Sequence, residues 1–150
     1  MIEQRAFTLR ILYFALLMST CIYGAIAFVV CKEPLRLEMM IAYALGGCAL
    51  VIMGIIPVLR GRVMPPMREA HSLDEKVAET DAVSAALQKY FTACIVSWAL
   101  CESIAIFGLV LSFLSGEPKY FVPFGALSLV NFAIYRPSRE QLLSVARAAV

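Results

Sequence analysis

The chain has 150 residues, a formal net charge of +2, and 61% hydrophobic residues with a mean hydropathy of +0.81. So apolar a composition stands well above the ~45–50% of a soluble domain and leaves little chain for one. The slight net charge names no partner, so the placement of the charges carries the information instead.

The first uncharged window, Ile11 to Cys31, has 21 residues. A cleaved signal peptide has an apolar region of only ~7–15 residues, so this segment reads as a retained span. Met39 to Leu59 is the second window, and Arg60-Gly-Arg-Val-Met-Pro-Pro stops it, because proline cannot continue a helix comfortably. A polar loop over about residues 60–72 follows, holding the single histidine, His71, with no metal partner in sequence. Ser72 with Glu75 three residues on has the form of a capping box. Leu73, Val77, Thr80, Leu87 and Tyr90 recur at near-helical spacing. The third helix is therefore expected to begin near Leu73 outside the membrane and to run unbroken to Ser115, roughly 64 Å at ~1.5 Å per residue. Its exposed part offers a place for a cytoplasmic partner, while its acid-rich face (Asp74, Glu75, Glu79, Asp81) reads as solvated. Tyr120 to Tyr135 is the fourth window, and residues 136–150 form a tail.

Spans must be helices or barrel strands, since hydrocarbon offers no partner to exposed backbone groups. These windows are too long and too uniformly apolar for alternating barrel strands. Arg5, Arg10, Arg60, Arg62, Arg68, Lys76, Lys89, Arg136, Arg139 and Arg147 fall at the termini and middle loop, against Lys32, Arg36 and Lys119 in the other two loops. The positive-inside rule then places both termini and the middle loop in the cytoplasm of a plasma or inner membrane, and explains the basic residues without nucleic acid.

The chain also repeats itself. At an offset of 84 residues, 13 identities fall in 43 ungapped positions, among them Phe7-Thr8 with Phe91-Thr92, Ser19 with Ser103, Gly24 with Gly108, and Glu33-Pro34 with Glu117-Pro118. The expected architecture is a single all-α integral membrane domain over residues 1–150. Its four transmembrane helices form two tandemly duplicated helical hairpins, repeat one about 7–59 and repeat two about 73–135, with the third helix extended into the cytoplasm.

Glu102 is the only charge between Tyr90 and Gly116, and it sits near the middle of that stretch. A charge at mid-membrane costs ~2.5–3.5 kcal/mol on insertion scales, so such residues are rare and are functional-site candidates by default. Met18 holds the corresponding place in the first repeat, which leaves one ionisable site per chain. Cys94, Ser97, Cys101, Ala105, Gly108 and Ser112 make a stripe of small side chains beside it, and small stripes let membrane helices approach closely. Gly46 and Gly47 are further packing candidates, and Gly47 and Cys48 lie at matching depth on the second helix. At ~1.5 Å per residue, Tyr23 on the first helix lies at the depth of Glu102, about 18 Å in, with Thr20 one turn shallower. Tyr23, Thr20 and Ser103 are thus the expected companions of Glu102 in an ion-binding group. No Lys or Arg lies inside any window, so a buried ion pair is not expected. Asn131 is too close to the cytoplasmic end.

The run Cys101-Glu-Ser-Ile-Ala-Ile-Phe-Gly-Leu-Val-Leu-Ser-Phe113 resembles the carboxylate helix of rotary ATPase membrane-ring proteolipids, the c-type and duplicated K-type subunits. The likeness covers 13 residues, with Phe107-Gly108-Leu109 as its aromatic-glycine-leucine step. It implies an ion-carrying Glu102 in a ring of copies. The acid here lies on the first helix of its repeat, whereas that family places it on the second.

Two functions follow. One is a structural or accessory subunit of an oligomeric membrane complex, with copies of itself or other membrane subunits as partners and Glu102 as a protonatable latch. The other is a proteolipid-like subunit that moves a proton or Na⁺ through Glu102. An enzyme is not expected: no serine–histidine pair, metal constellation or phosphate-binding loop is present, and no cofactor is implied. The five cysteines, all in or at the edge of spans and without metal spacing, read as small core residues.

Overall fold

The computed structural model describes residues 2–31, 39–63 and 81–148. Among these every regular element is helical: α1 (Ile2–Val30), α2 (Met39–Val63), α3 (Asp81–Ser115), a 3₁₀ turn (Pro118–Tyr120), α4 (Phe121–Ile134) and α5 (Arg139–Ala148). Three helices hold segments long and apolar enough to cross a membrane, Ala6–Val30, Met39–Arg62 and Ser84–Ser115. The protein is thus an all-helical chain of membrane type. The expected start of the third helix near Leu73, its capping box and His71 lie outside the described residues.

Helix α3 is the axis of the molecule. α1, α2, α4 and α5 all pack against it, and α1 also packs on α4. The stripe read from the sequence explains why α3 can hold so many neighbours. Cys94, Ser97, Cys101, Ala105 and Ser112 are all fully buried, and Gly108 is buried with them. Their small side chains leave room for neighbouring helices to close in. α4 runs back along α3 after a turn at Gly116, whose φ of 68° is left-handed and suits glycine. Ser128 Oγ donates to the Cys101 carbonyl at 2.7 Å, and Phe121 and Phe124 of α4 press on Gly108.

One end of the bundle is built on aromatic rings. Tyr13 of α1 meets Trp98 of α3 and Phe132 of α4 edge-on, with centroids 5.5 and 5.8 Å apart. The polar tips find carbonyls at the end of α4: Tyr13 OH donates to Phe132 O at 3.0 Å and Trp98 Nε1 to Tyr135 O at 2.9 Å. Buried aromatics ordinarily satisfy their polar tips in this way. On the outer side of α1, Phe7, Ile11, Phe14, Met18 and Ile22 are each more than half exposed at three- and four-residue steps. That is an exposed apolar stripe of the kind that suits lipid, and Met18, which the sequence aligns with Glu102, belongs to it.

The structure differs from the expectation at four places. α4 has 14 residues. At ~1.5 Å per residue it is about 21 Å long, short of the ~30 Å hydrocarbon core. α2 packs chiefly on α3 and hardly on α1, so α1 and α2 are not paired as closely as α3 and α4. Residues 139–148 are helical and docked, not a free tail: Val145 of α5 shares a buried cluster with Leu87 and Tyr90 of α3, and Tyr90 OH donates to Gln141 Oε1 at 3.3 Å. Gly46 and Gly47 are not packing points within the chain, since a Cβ built on either meets nothing within 4 Å. Within the chain α2 offers α3 a different face, with Ile56 and Arg60 buried.

Candidate functional site

Glu102 emerges from α3 beside the buried stripe, one residue on from Cys101, and this turns its carboxyl toward α1. α1 runs parallel to α3, so side chains entering from the same end meet at equal depth. Ser19 Oγ lies 2.5 Å from Glu102 Oε1, and Tyr23 OH donates to the same oxygen at 2.8 Å. Ser19 and Tyr23 are four residues apart, one above the other on a single helix face. Ser19 Oγ also lies 2.7 Å from the Leu16 carbonyl, one turn back. The carboxyl is half-buried. No salt bridge to it exists among the described residues; Lys119 with Glu117, in the turn before α4, is the ion pair found there.

Of the expected companions, Tyr23 is at the carboxyl and the other two are not. Thr20 points away and donates to the Leu16 carbonyl at 3.3 Å. Ser103 returns its proton to Ala99 O at 2.9 Å. Both obey the habit of helical Ser and Thr to bond the carbonyl one turn back, and each is displaced about 100° around its helix from the residue that does face the cluster. Asn131 likewise bonds its own helix, at Leu127 O, 2.8 Å. Ser19 takes the place given to Thr20. Its signal in the sequence is its four-residue step to Tyr23.

A second polar centre lies at Arg60. The sequence assigns this residue to the loop, but α2 continues through Pro57 to Val63 and carries Arg60 inside. The side chain is 6% exposed. Its Nη2 donates to Tyr135 O at 3.1 Å, its Nε reaches Ser97 Oγ at 3.4 Å, and the guanidinium lies 4.8 Å over the Tyr135 ring. The Tyr135 carbonyl closes α4, where the helix dipole favours a cation. A buried basic residue within an apolar helix therefore does exist, matched to neutral oxygens and a ring. Arg60 ties α2 to the end of α4 across α3.

No group of His, Cys, Asp and Glu able to hold a metal ion occurs among the described residues. Cys31, Cys94 and Cys101 are buried free thiols, and Cys21 and Cys48 are exposed ones. Comparison with protein-family models, curated proteins and solved structures finds no match.

Proposed function

We propose that this chain is a structural or accessory subunit of an oligomeric membrane complex, with Glu102 as a protonatable intramembrane latch between α1 and α3. The observation that carries it is the Glu102–Ser19–Tyr23 cluster: one acid, two hydroxyl companions and, among the described residues, no countercharge. The half-buried carboxyl sits at the outer edge of the α1–α3 contact, where a neighbouring subunit, a copy or another chain, would cover it. Four crossings with both termini in the cytoplasm belong to this reading, the 3₁₀ turn and α4 together giving about 27 Å for the fourth, the hydrocarbon thickness of the thinner bilayers. The long α3 and docked α5 present the cytoplasmic face on which a further partner could sit.

Interhelical polar contacts in membranes average only ~0.6 kcal/mol. Two such bonds position helices rather than hold a complex together. Glu102→Gln keeps an amide able to donate and accept, so it is expected to leave the assembly intact and its stability within about 1 kcal/mol of the parent. Particle mass in detergent before and after the substitution measures this.

A second reading has an observation of its own. Glu102 is not sealed, so its proton or a small cation could be exchanged with a partner subunit, as the local likeness to ring proteolipids implies. Vesicles containing the complete complex separate the two. Proton or Na⁺ flux that disappears in Glu102→Gln while assembly survives would replace the latch with a carrier.

A further inference from the structure

We infer that the Glu102 cluster is built around the neutral acid: Glu102 donates its proton to Ser19, and Ser19 passes its own to the Leu16 carbonyl. This deepens the latch reading and rests on Glu102 lying within the membrane.

The inference comes from counting protons. Three oxygen–oxygen contacts of hydrogen-bond length meet here: Ser19 Oγ with Leu16 O at 2.7 Å, Ser19 Oγ with Glu102 Oε1 at 2.5 Å, and Tyr23 OH with Glu102 Oε1 at 2.8 Å. Each contact needs one hydrogen between its oxygens. A hydroxyl carries one donor and two acceptor lone pairs, while a carbonyl and an ionised carboxylate only accept. Ser19 and Tyr23 together supply two hydrogens. With Glu102 ionised, Ser19 faces two acceptors with a single hydrogen, and one contact is left as lone pair against lone pair. With Glu102 protonated on Oε1, every contact is filled. The acid O–H points to Ser19 Oγ, the Ser19 hydroxyl to Leu16 O, and the Tyr23 hydroxyl to a free lone pair of Oε1.

The surroundings agree. No cation pairs with Glu102 among the described residues. From α1 the titratable group that faces it is Tyr23. Arg60, reaching α3 from α2, is engaged at Ser97 and Cys94, one to two turns nearer the other end of α3. An ionised carboxylate at this depth would carry the full insertion cost of a charge. The 2.5 Å between Ser19 Oγ and Oε1 is the length of a short O–H···O bond. Ser19 is thus a positioning residue for the proton on Glu102.

Infrared spectroscopy of the protein in vesicles at neutral pH tests this directly. The expected result is a C=O stretch of a protonated carboxylic acid that shifts in D₂O and is absent in Glu102→Gln. The same band should move to higher wavenumber in Ser19→Ala, where the acid loses its acceptor, and return in Ser19→Thr. Finding only the ionised-carboxylate signal would overturn the proposal. So would an unchanged band position in Ser19→Ala. An ionised Glu102 at a site still shown to be lipid-embedded would refute the proton wiring alone, whereas a water-exposed position 102 would refute the latch beneath it.

Discussion

Gly108→Leu is expected to pull α4 away from α3 and to cost about 3 kcal/mol or more, the upper end for overpacking a filled contact. A Cβ at position 108 would lie 2.6 Å from Phe124 Cβ and 3.3 Å from both the Cα and the carbonyl oxygen of Phe121. None of these atoms is the far end of a flexible side chain, so no rotamer change relieves the clash and the helices must part. The loss should spread to α1, because Tyr13 and Trp98 hold carbonyls at the far end of α4. Denaturant titration of the detergent-solubilised protein measures it. Gly47→Leu is the internal control, since a Cβ there meets nothing; its cost within the single chain should stay within about 0.5 kcal/mol. Equal damage from the two substitutions would contradict the packing described here.

Arg60→Ala is expected to loosen α2 by about 2 kcal/mol, with the sign decided by two opposing terms. Hydrogen bonds to a charged group are worth ~1.5–3 kcal/mol, and the ring contact adds ~0.5–2 kcal/mol. Against these stands the cost of burying a cation, which makes replacement by a well-packed apolar residue often neutral. The truncation orphans no acceptor: Tyr135 O keeps Trp98, and Ser97 keeps its own bond to Ala93 O. The loss therefore sits at the low end of the sum. Arg60→Met, which restores volume, should recover most of it. Arg60→Lys should not, since an ammonium cannot serve both Ser97 and Tyr135 O or lie flat over the ring. Because α2 packs chiefly on α3, the effect should appear first as faster amide exchange in α2, with a smaller change at the end of α4, where Tyr135 O loses one of its two partners.

Much of this molecule is legible in its sequence, and the reasons are local ones. Apolar windows long enough for a bilayer declare α1, α2 and α3, because hydrocarbon permits little else. The small-residue stripe on α3 marks its buried face, since three- and four-residue steps place Cys94 to Ser112 in one line. Equal depth brings Tyr23 to Glu102, because two parallel helices rise at the same rate. Rotation about a helix is harder to read than depth: Thr20 and Ser19 differ by about 100° and only one faces the acid. Arg60 was hidden for another reason. A charge at the edge of an apolar window reads as the edge itself, and only the positions of α4 and Tyr135 show that neutral oxygens await it. Likewise α2 shows no preference in sequence between α1 and α3, because every face of it is apolar. The docking of α5 on Leu87 and Tyr90 of α3 is a contact between segments more than fifty residues apart, which no local pattern announces.

The central claim is that position 102 lies inside the bilayer, covered by α1. A nitroxide spin label at Glu102→Cys, in a background without the five native cysteines, measures its surroundings in vesicles. Collisions with dissolved oxygen should exceed those with a water-soluble nickel complex, as they do deep in hydrocarbon. Frequent nickel collisions and few with oxygen would place the site in water and contradict the account.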